Sequence, residues 1–441
     1  MRVWRIALIG LIAAHAVIAQ PPGDPEEILA RTREKILDRT DRLPNYICVQ
    51  TVNRRYFRRK NPEVPTPSCD KMSGEKARND YALQLEATDR LRLDVMVSGG
   101  TEIGAWAGSS QFGSGDVMRL TSGPFGTGGF GTFLIDIFTT PSFPFSFEGE
   151  ESVNAVKLFR YRFRVGRDSS HYAVHAGGKW AYTGYDGQIW VDPATFDLRH
   201  LLVRTAELPS ESNACESSTT VDYASIPIGD GEFLLPLDSN LHFLMRDTTE
   251  TDVGITYSSC HQFLGEAKLV EQHDLAVSQP APRAAPVPIA AGLLISLKFT
   301  QAIDSDVAAA GDALLAKITK AVRDPASSKV LIAAGSLVQA RLVGMEHWLG
   351  RTPRFAFTIQ LETVELEGVT TPIYARLPTA SEEKDALKKK PDLMVRNEFY
   401  LAPRGQSRPA AHHVIYTKDK RCVIPRGYQM RFVTVDPAAT H

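Results

Sequence analysis

The stretch Ile189-Trp-Val-Asp-Pro-Ala-Thr-Phe-Asp-Leu-Arg-His-Leu-Leu-Val203 decides the fold. Gln188 to Val191 is strand-like, and Leu198 to Ala206 resumes the same β-rich pattern. Between them, Asp192-Pro193-Ala194-Thr195 has turn chemistry: an Asp side chain that accepts from the backbone ahead of it, and a proline that fixes φ. A strand that turns this tightly back on itself belongs to an antiparallel sheet, because parallel strands need a long crossover. The signature repeats on both sides. Before the hairpin come Tyr81–Ala87, Asp89–Val97 with alternating Leu91, Leu93 and Val95, Thr101–Ala107 after the Gly99-Gly100 turn, Ala155–Val165 and His171–Val174. After it come Thr219–Ser225, Gly231–Pro236, Leu241–Arg246 and Thr251–Ser258.

Only two segments interrupt this β pattern. Pro25 to Thr40 places Ile28, Leu29, Ile36 and Leu37 at helical spacing, with proline suited to the first turn. Phe133 to Phe138 reads as a short helix behind a glycine-rich loop. With the strand Tyr46–Phe57, these elements predict an α+β domain: a curved antiparallel sheet, or half-barrel, with an N-terminal helix.

Asp274 to Pro288 is rich in proline and alanine and poor in large apolar groups, which reads as a linker. Beyond it lie short, mostly β segments: Leu293–Phe299, Leu314–Ala321, Leu337–Val343, Phe355–Leu366 and Thr371–Ala375. Val330-Leu-Ile-Ala-Ala-Gly-Ser-Leu-Val and Cys422-Val-Ile-Pro-Arg-Gly-Tyr-Gln-Met are quasi-repeats of strand, glycine turn and strand. They suggest a small β-barrel or sandwich whose last strand closes against an earlier one. The expected division is a signal peptide at 1–19, a first domain at 20–273, the linker at 274–288 and a mainly-β domain at 289–437.

Met1 to Ala19 has the parts of a secretory signal: Arg2 and Arg5, an apolar run from Ile6 to Ile18, and small cleavage positions at Val17 and Ala19. The run is broken by His15 and falls short of the ~20 residues of a membrane span. Cleavage before Gln20 therefore leaves an exported, periplasmic or secreted chain with no later membrane span. Fifty Lys and Arg against 51 Asp and Glu give a net charge of −1, which argues against a nucleic-acid binder. All five cysteines lie beyond the signal, and export makes disulfides the expectation. Proximity along the chain favours Cys48–Cys69 and Cys215–Cys260, with Cys422 left over.

No catalytic constellation, metal site or cofactor motif emerges. Gly126-Thr-Gly-Gly-Phe-Gly131 matches a dinucleotide-binding pattern, but no buried parallel strand precedes it. The acidic residues Glu148, Glu150, Glu151, Asp186 and Asp192 could supply the paired carboxylates of a carbohydrate hydrolase, yet nothing in their spacing shows that any two converge. His412-His413 reads as a solvated loop pair rather than metal ligands, and the basic run Arg54–Lys60 as a solvated strand edge. The feature that stands out is a concentration of aromatics: Phe130, Phe133, Phe138, Phe143, Phe145 and Phe147. These could line an apolar cavity beneath the curved sheet or belong to an ordinary core.

The hairpin Ile189–Val203 and the strand series around it resemble periplasmic lipoprotein carriers of the LolA type and related lipid-sensing regulators. The resemblance spans about Pro25 to Glu271 and implies a half-barrel that shelters an apolar or acylated ligand. Val287–Val343, with its Gly311-Asp312 turn and Ala334-Gly335-Ser336, resembles β-barrel scaffold domains of type IV secretion and conjugation envelope proteins, which implies protein contacts. The reading is a non-enzymatic envelope protein that binds a lipid or lipoprotein. A structural scaffold with an envelope protein partner and no small ligand is the alternative, and a carbohydrate-acting hydrolase the third.

Overall fold

Helix α1 (Pro25–Asp41) opens the computed structural model. Asp24 caps it by accepting from the Glu26 amide at 3.1 Å, Pro25 fills the first turn, and Glu26 and Glu27 complement the positive end of the helix dipole. Ile28, Thr32 and Ile36 form its buried stripe at i, i+4, i+8. The structure describes residues 23–61, 66, 68–72, 82–98, 101–109, 112, 132–139, 144–176, 179–205, 208–263, 288–378, 394–399, 411–416 and 420–436. The expected signal peptide, the Gly126–Gly131 motif, most of the expected linker, Phe130 and Phe143 lie outside them.

Then follow β1 (Tyr46–Arg59), the one-turn α2 (Cys69–Met72), β2 (Leu83–Ser98), β3 (Thr101–Trp106) and α3 (Thr132–Thr139). Next are β4 (Ser146–Val153), β5 (Val156–Val165), β6 (Ala173–Ala176), β7 (Lys179–Tyr182), β8 (Tyr185–Val191) and β9 (Leu198–Thr205). Three long strands complete the N-terminal sheet: β10 (Ala214–Ile228), β11 (Gly231–Met245) and β12 (Glu250–Gln262). The pairing order is β4-β5-β8-β9-β10-β11-β12-β1-β2-β3, antiparallel throughout, while β6 and β7 form a separate hairpin.

The register sorts the side chains into alternating rows. One row runs Phe163, Gly187, Val203, Thr219, Leu241, Val253, Arg54, Asp89, each directly opposite the next across β5 to β2. The adjacent row runs Arg164, Asp186, Arg204, Ser218, His242, Asp252, Arg55, Thr88. Because strand side chains alternate faces, the first row faces the core and the second forms a charged outer surface. The inner face is closely packed. A Cβ on Gly187 would stand 2.6 Å from the Phe163 ring and 2.0 Å from the Leu202 carbonyl oxygen, so only glycine lets that ring lie against the sheet.

The C-terminal chain forms β13 (Leu294–Phe299), β14 (Ile303–Asp304), β15 (Ala313–Ile318), β16 (Val322–Arg323), β17 (Val330–Ile332), β18 (Leu337–Trp348) and β19 (Arg354–Leu366). After these come β20 (Val369–Pro372), β21 (Ala375–Arg376), β22 (Met394–Phe399), β23 (Ala411–Tyr416), β24 (Val423–Ile424) and β25 (Gln429–Thr434). The quasi-repeats correspond to β17–β18 and β24–β25, with Gly335 and Gly427 at φ of 90° and 83° in the two turns. The final strand β25 pairs with β13 and β21 around a core that includes Ile295, Leu297, Phe299, Phe357 and Phe432. The chain is thus a curved α+β sheet followed by a β unit, as the patterning predicts.

Several finer expectations change. The segments expected to end at Ala87 and to start at Asp89 are one strand, β2 (Leu83–Ser98), with no turn at Thr88, since two neighbours hold the backbone there: β1 on one side and β18 on the other. Likewise Gly231–Pro236 and Leu241–Arg246 merge into β11, and Pro236 is tolerated beside the register shift at Asp222/Tyr223. The disulfides are Cys48–Cys260 and Cys69–Cys215. The four cysteines are those expected but the pairing is not. Ladder pairing places the start of β1 beside the end of β12, while α2 packs on the start of β10, so chain proximity loses to sheet register. Cys422 stays a buried thiol in the C-terminal core.

The basic run on β1 is not a free edge either. β1 lies between β12 and β2, and Arg54 is 3% exposed, donating to both carboxylate oxygens of Asp89 at 2.7 Å while Tyr56 adds its hydroxyl at 3.1 Å. Two strands beyond Arg54, Glu346 of β18 faces Asp89. Burial pushes the Glu346 carboxyl up, with the Trp348 indole opposing by donating to it at 3.0 Å.

The two parts of the chain share one ladder. The outer edge of β2 pairs with β3 from Leu93 to Ser98 and with β18 from Ala87 to Asp89. In the gap between them, Ala310 bonds to Arg90 and Arg92 through its own amide and carbonyl, at 2.8 and 2.6 Å.

Candidate functional site

The concave face opposite β5, β8, β9 and β10 is covered by α1 and α3. Ile28 and Ile36 of α1 and Phe133, Leu134, Ile137 and Phe138 of α3 share one core with Phe159, Tyr161, Phe163, Ile189, Leu201 and Val221 of the sheet. Tyr161 donates to the Pro25 carbonyl at 2.8 Å, and Lys35 and Arg39 reach Asp197 in the turn after β8, at 2.8 and 3.0 Å. Helix α1 is therefore held by polar ties as well as by burial.

Helix α3 is held differently. Its sequence, Thr-Phe-Leu-Ile-Asp-Ile-Phe-Thr, is apolar except for Asp136 and the terminal threonines. Asp136 is only 4% exposed and accepts from the His171 amide at 3.1 Å, from the His171 ring Nδ1 at 2.7 Å and from the Tyr185 hydroxyl at 3.4 Å. Burial, and then the nearby Asp136 charge, pushes the Tyr185 phenol far up, so it remains a donor. These bonds satisfy the carboxylate that the helix would otherwise bury unpaired.

Aromatic rings pack around this helix and at the rim of the sheet. Phe147, on the outermost strand β4, is 43% exposed and lies 5.1 Å from Phe159 and 5.5 Å from Tyr161. Phe145 lies 5.9 Å from Phe163 and stacks on Phe138 at 5.8 Å. Phe133 meets Tyr172 and Tyr185 at 5.4 and 5.9 Å. Of the six phenylalanines singled out, Phe133 and Phe138 are thus core residues of α3, Phe145 bridges helix and sheet, and Phe147 sits on the rim. Asp136 and His171 were not read as parts of a site, and the segment that forms β4 was not read as a strand. The alternation of Phe145 and Phe147 and the single charge inside Phe133–Phe138 are their only sequence signals.

Glu148 and Glu151 meet on one arginine, Arg160, and basic or turn partners hold Glu148, Glu150, Glu151 and Asp192. Glu148 pairs with Arg160 and Arg162 at 3.3 and 2.7 Å, Glu151 with Arg160 and the Trp190 indole at 3.1 and 2.9 Å, and Glu150 with Lys157 at 3.6 Å. Asp192 caps its turn by accepting from the Ala194 and Thr195 amides at 3.0 and 3.4 Å, and it pairs with Arg199 at 3.1 Å. Among the described residues no group of three or more His, Cys, Asp or Glu could hold a metal ion, and no described helix is long and apolar enough to cross a membrane.

Burial works against the Asp192 charge, but the hydrogen bonds from Arg199 and the turn amides outweigh it and hold the carboxyl below its ordinary range. A depressed folded pKa contributes stability above the unfolded pKa that is lost as pH falls through the folded one. Asp192→Asn is expected to lower stability at pH 7 by about 1 kcal/mol. Melting curves should show the gap from wild type narrowing as pH falls through that acidic window. A pH-independent gap would refute the assignment.

The fold and site define an antiparallel half-barrel with helices on its concave face. Solved structures similar to this chain include an outer membrane lipoprotein-sorting protein domain from Vibrio parahaemolyticus, at 10% identity over 56% of this chain and 96% of that chain, with TM-score 0.27. They also include a DUF1329 family protein from Desulfovibrio piger, at 10% identity over 55% and 95%, TM-score 0.27. A LolA superfamily protein from Nitrosomonas europaea is similar at 12% identity over 54% and 93%, TM-score 0.23. No family model and no curated protein matches the sequence.

Proposed function

We propose that the chain is an exported envelope protein that binds an acyl chain, of a lipid or a lipoprotein, on the concave face of the N-terminal sheet. In this reading residues 20–273 are the binding domain, and residues 289–437, beyond the 274–288 linker, make protein contacts. Two disulfides fit the oxidising periplasm that the leader at 1–19 implies.

The observation that carries the reading is the aromatic core that sheet and helix share, with half-exposed Phe147 against Phe159 and Tyr161 at its rim and Phe145 stacked on buried Phe138 of the apolar α3. Magnitudes make an exchange feasible. The four buried apolar side chains of α3, Phe133, Leu134, Ile137 and Phe138, stabilise it by roughly 1.5–3 kcal/mol each, and an acyl chain gains about 0.8 kcal/mol per CH₂. A chain of about twelve carbons therefore matches what α3 loses on leaving, so entry and release would both be reversible.

Native mass spectrometry of the exported protein from its own envelope, with lipid analysis of the extract, should find a stoichiometric acyl ligand. In titrations with a fluorescent fatty acid, Phe147→Glu should weaken binding about tenfold while leaving the fold intact, because Phe147 is already half-exposed. A ligand-free protein with no saturable fatty-acid binding would overturn the reading.

A further inference from the structure

The shared ladder carries a cleft of about 320 Å³ on the face of β1 and β2 that bears Arg55 and Thr88, with the Arg54–Asp89 pair also in its lining. Its floor is a cross-strand row: Arg55 of β1 faces Thr88 of β2, which faces His347 of β18, which faces Phe355 of β19. Residues of the N-terminal sheet and of the C-terminal unit thus meet there in one register. His347 stacks flat on Phe355, with ring centroids 4.0 Å apart, and burial lowers the imidazole pKa, so this wall is aromatic and uncharged at neutral pH.

The opposite wall is cationic. Arg55 has Asp252 as its partner at 2.9 Å, and Arg421 serves both Asp304, through two contacts, and Asp306, at 3.3 Å. Arg90 is different: its guanidinium is fixed by two neutral acceptors, the Asn53 side-chain oxygen at 2.7 Å and the Asp306 backbone carbonyl. Among the described residues, no carboxylate pairs with Arg90 or Lys420, and both line the cleft. An arginine held rigidly by neutral groups keeps its full charge available to a ligand, and its planar fork suits the oxygens of a phosphate.

From this geometry we infer a binding site for an organic phosphate monoester, its dianion set between Arg90 and Lys420 and its apolar portion against His347 and Phe355. Arg90 and Lys420, neither with a carboxylate partner among the described residues, favour a dianion over a monocarboxylate, and the aromatic wall favours an organic phosphate over the bare ion. Because the cleft straddles β2 and β18, an occupant would tie the two parts of the chain together. The site does not depend on acyl binding, which uses other residues.

Calorimetric titration of the mature full-length protein at fixed ionic strength tests it, with phenyl phosphate, inorganic phosphate and benzoate as probes. Phenyl phosphate should bind at least tenfold more tightly than either of the others. Arg90→Gln and Lys420→Ala should each weaken it about tenfold. Lys420→Ala removes no hydrogen bond or ion pair among the described residues, so its unliganded melting temperature should match wild type. Equal binding of benzoate, unchanged affinity in Lys420→Ala, or no saturable binding of phenyl phosphate would overturn the site. Competition by dihexanoyl phosphatidic acid would support it with a lipid headgroup as the source, and failure to compete would support it with a soluble phosphate ester.

Discussion

Gly311→Ala is expected to destabilise the protein by about 3 kcal/mol or more, the scale of a backbone that must move or hold a forbidden conformation. Gly311 has φ of +110°, outside the regions open to residues with a Cβ. A Cβ there would stand 2.0 Å from the Arg92 carbonyl oxygen and 2.9 Å from the Trp106 ring, so the strain adds to a collision with backbone. The position also matters for its neighbours. Ala310 bonds to both Arg90 and Arg92, the Gly311 amide donates to Leu342 at 2.6 Å, and the buried Arg341 donates to both the Gly311 and Ala107 carbonyls at 2.8 Å. Displacing Gly311 therefore loosens the seam between β2 and the C-terminal unit. Hydrogen exchange of the variant should show faster exchange at Arg92, Ala310 and Leu342 while β8 and β9 stay protected. A melting temperature equal to wild type would show that the seam does not form as described.

Non-reducing peptide mapping is expected to recover Cys48 linked to Cys260 and Cys69 linked to Cys215, with Cys422 alkylated only after unfolding. The linked pairs are 212 and 146 residues apart, so each bond closes a long loop of the unfolded chain. On a chain-entropy basis, bonds of this span contribute roughly 5 kcal/mol, and measured losses run about 2–5 kcal/mol. Cys48→Ser should therefore cost several kcal/mol in denaturant melts. Its partner Cys260 lies in β12 at the register shift opposite Cys48, where the β1–β12 ladder continues on to Glu250, so the folded strands remain in register at low denaturant. Recovery of the chain-adjacent pairs Cys48–Cys69 and Cys215–Cys260 would contradict the register of β1 against β12.

Much of the architecture was legible because it is local. The hairpin at Asp192, the Pro25 helix and the period-two alternation of β2 are set by side chains within a few residues of one another. An antiparallel sheet with a helix at its start follows from them. The same holds for α3, whose apolar sequence announces burial, and for the glycine turns of the two quasi-repeats. The connectivity of the disulfides, the burial of Arg54 and the joining of β2 to β18 were not legible. Each depends on which strand lies beside which, and that is settled by contacts between residues tens to hundreds of positions apart.

The candidate site divides along the same line. Composition marked the phenylalanines, but only the packed sheet separates Phe133 and Phe138, buried on α3, from Phe147 on the rim, and only it brings His171 to Asp136. The sequence by itself determined the elements, their faces and the number of cysteines able to pair, because hydrophobic period, turn chemistry and helix capping act over single turns and strands. Tertiary structure alone decided strand order, charge partners and the cleft that joins the two parts. These arise from register, where one strand's alternation must match a distant one's, and no short stretch of chain carries that information.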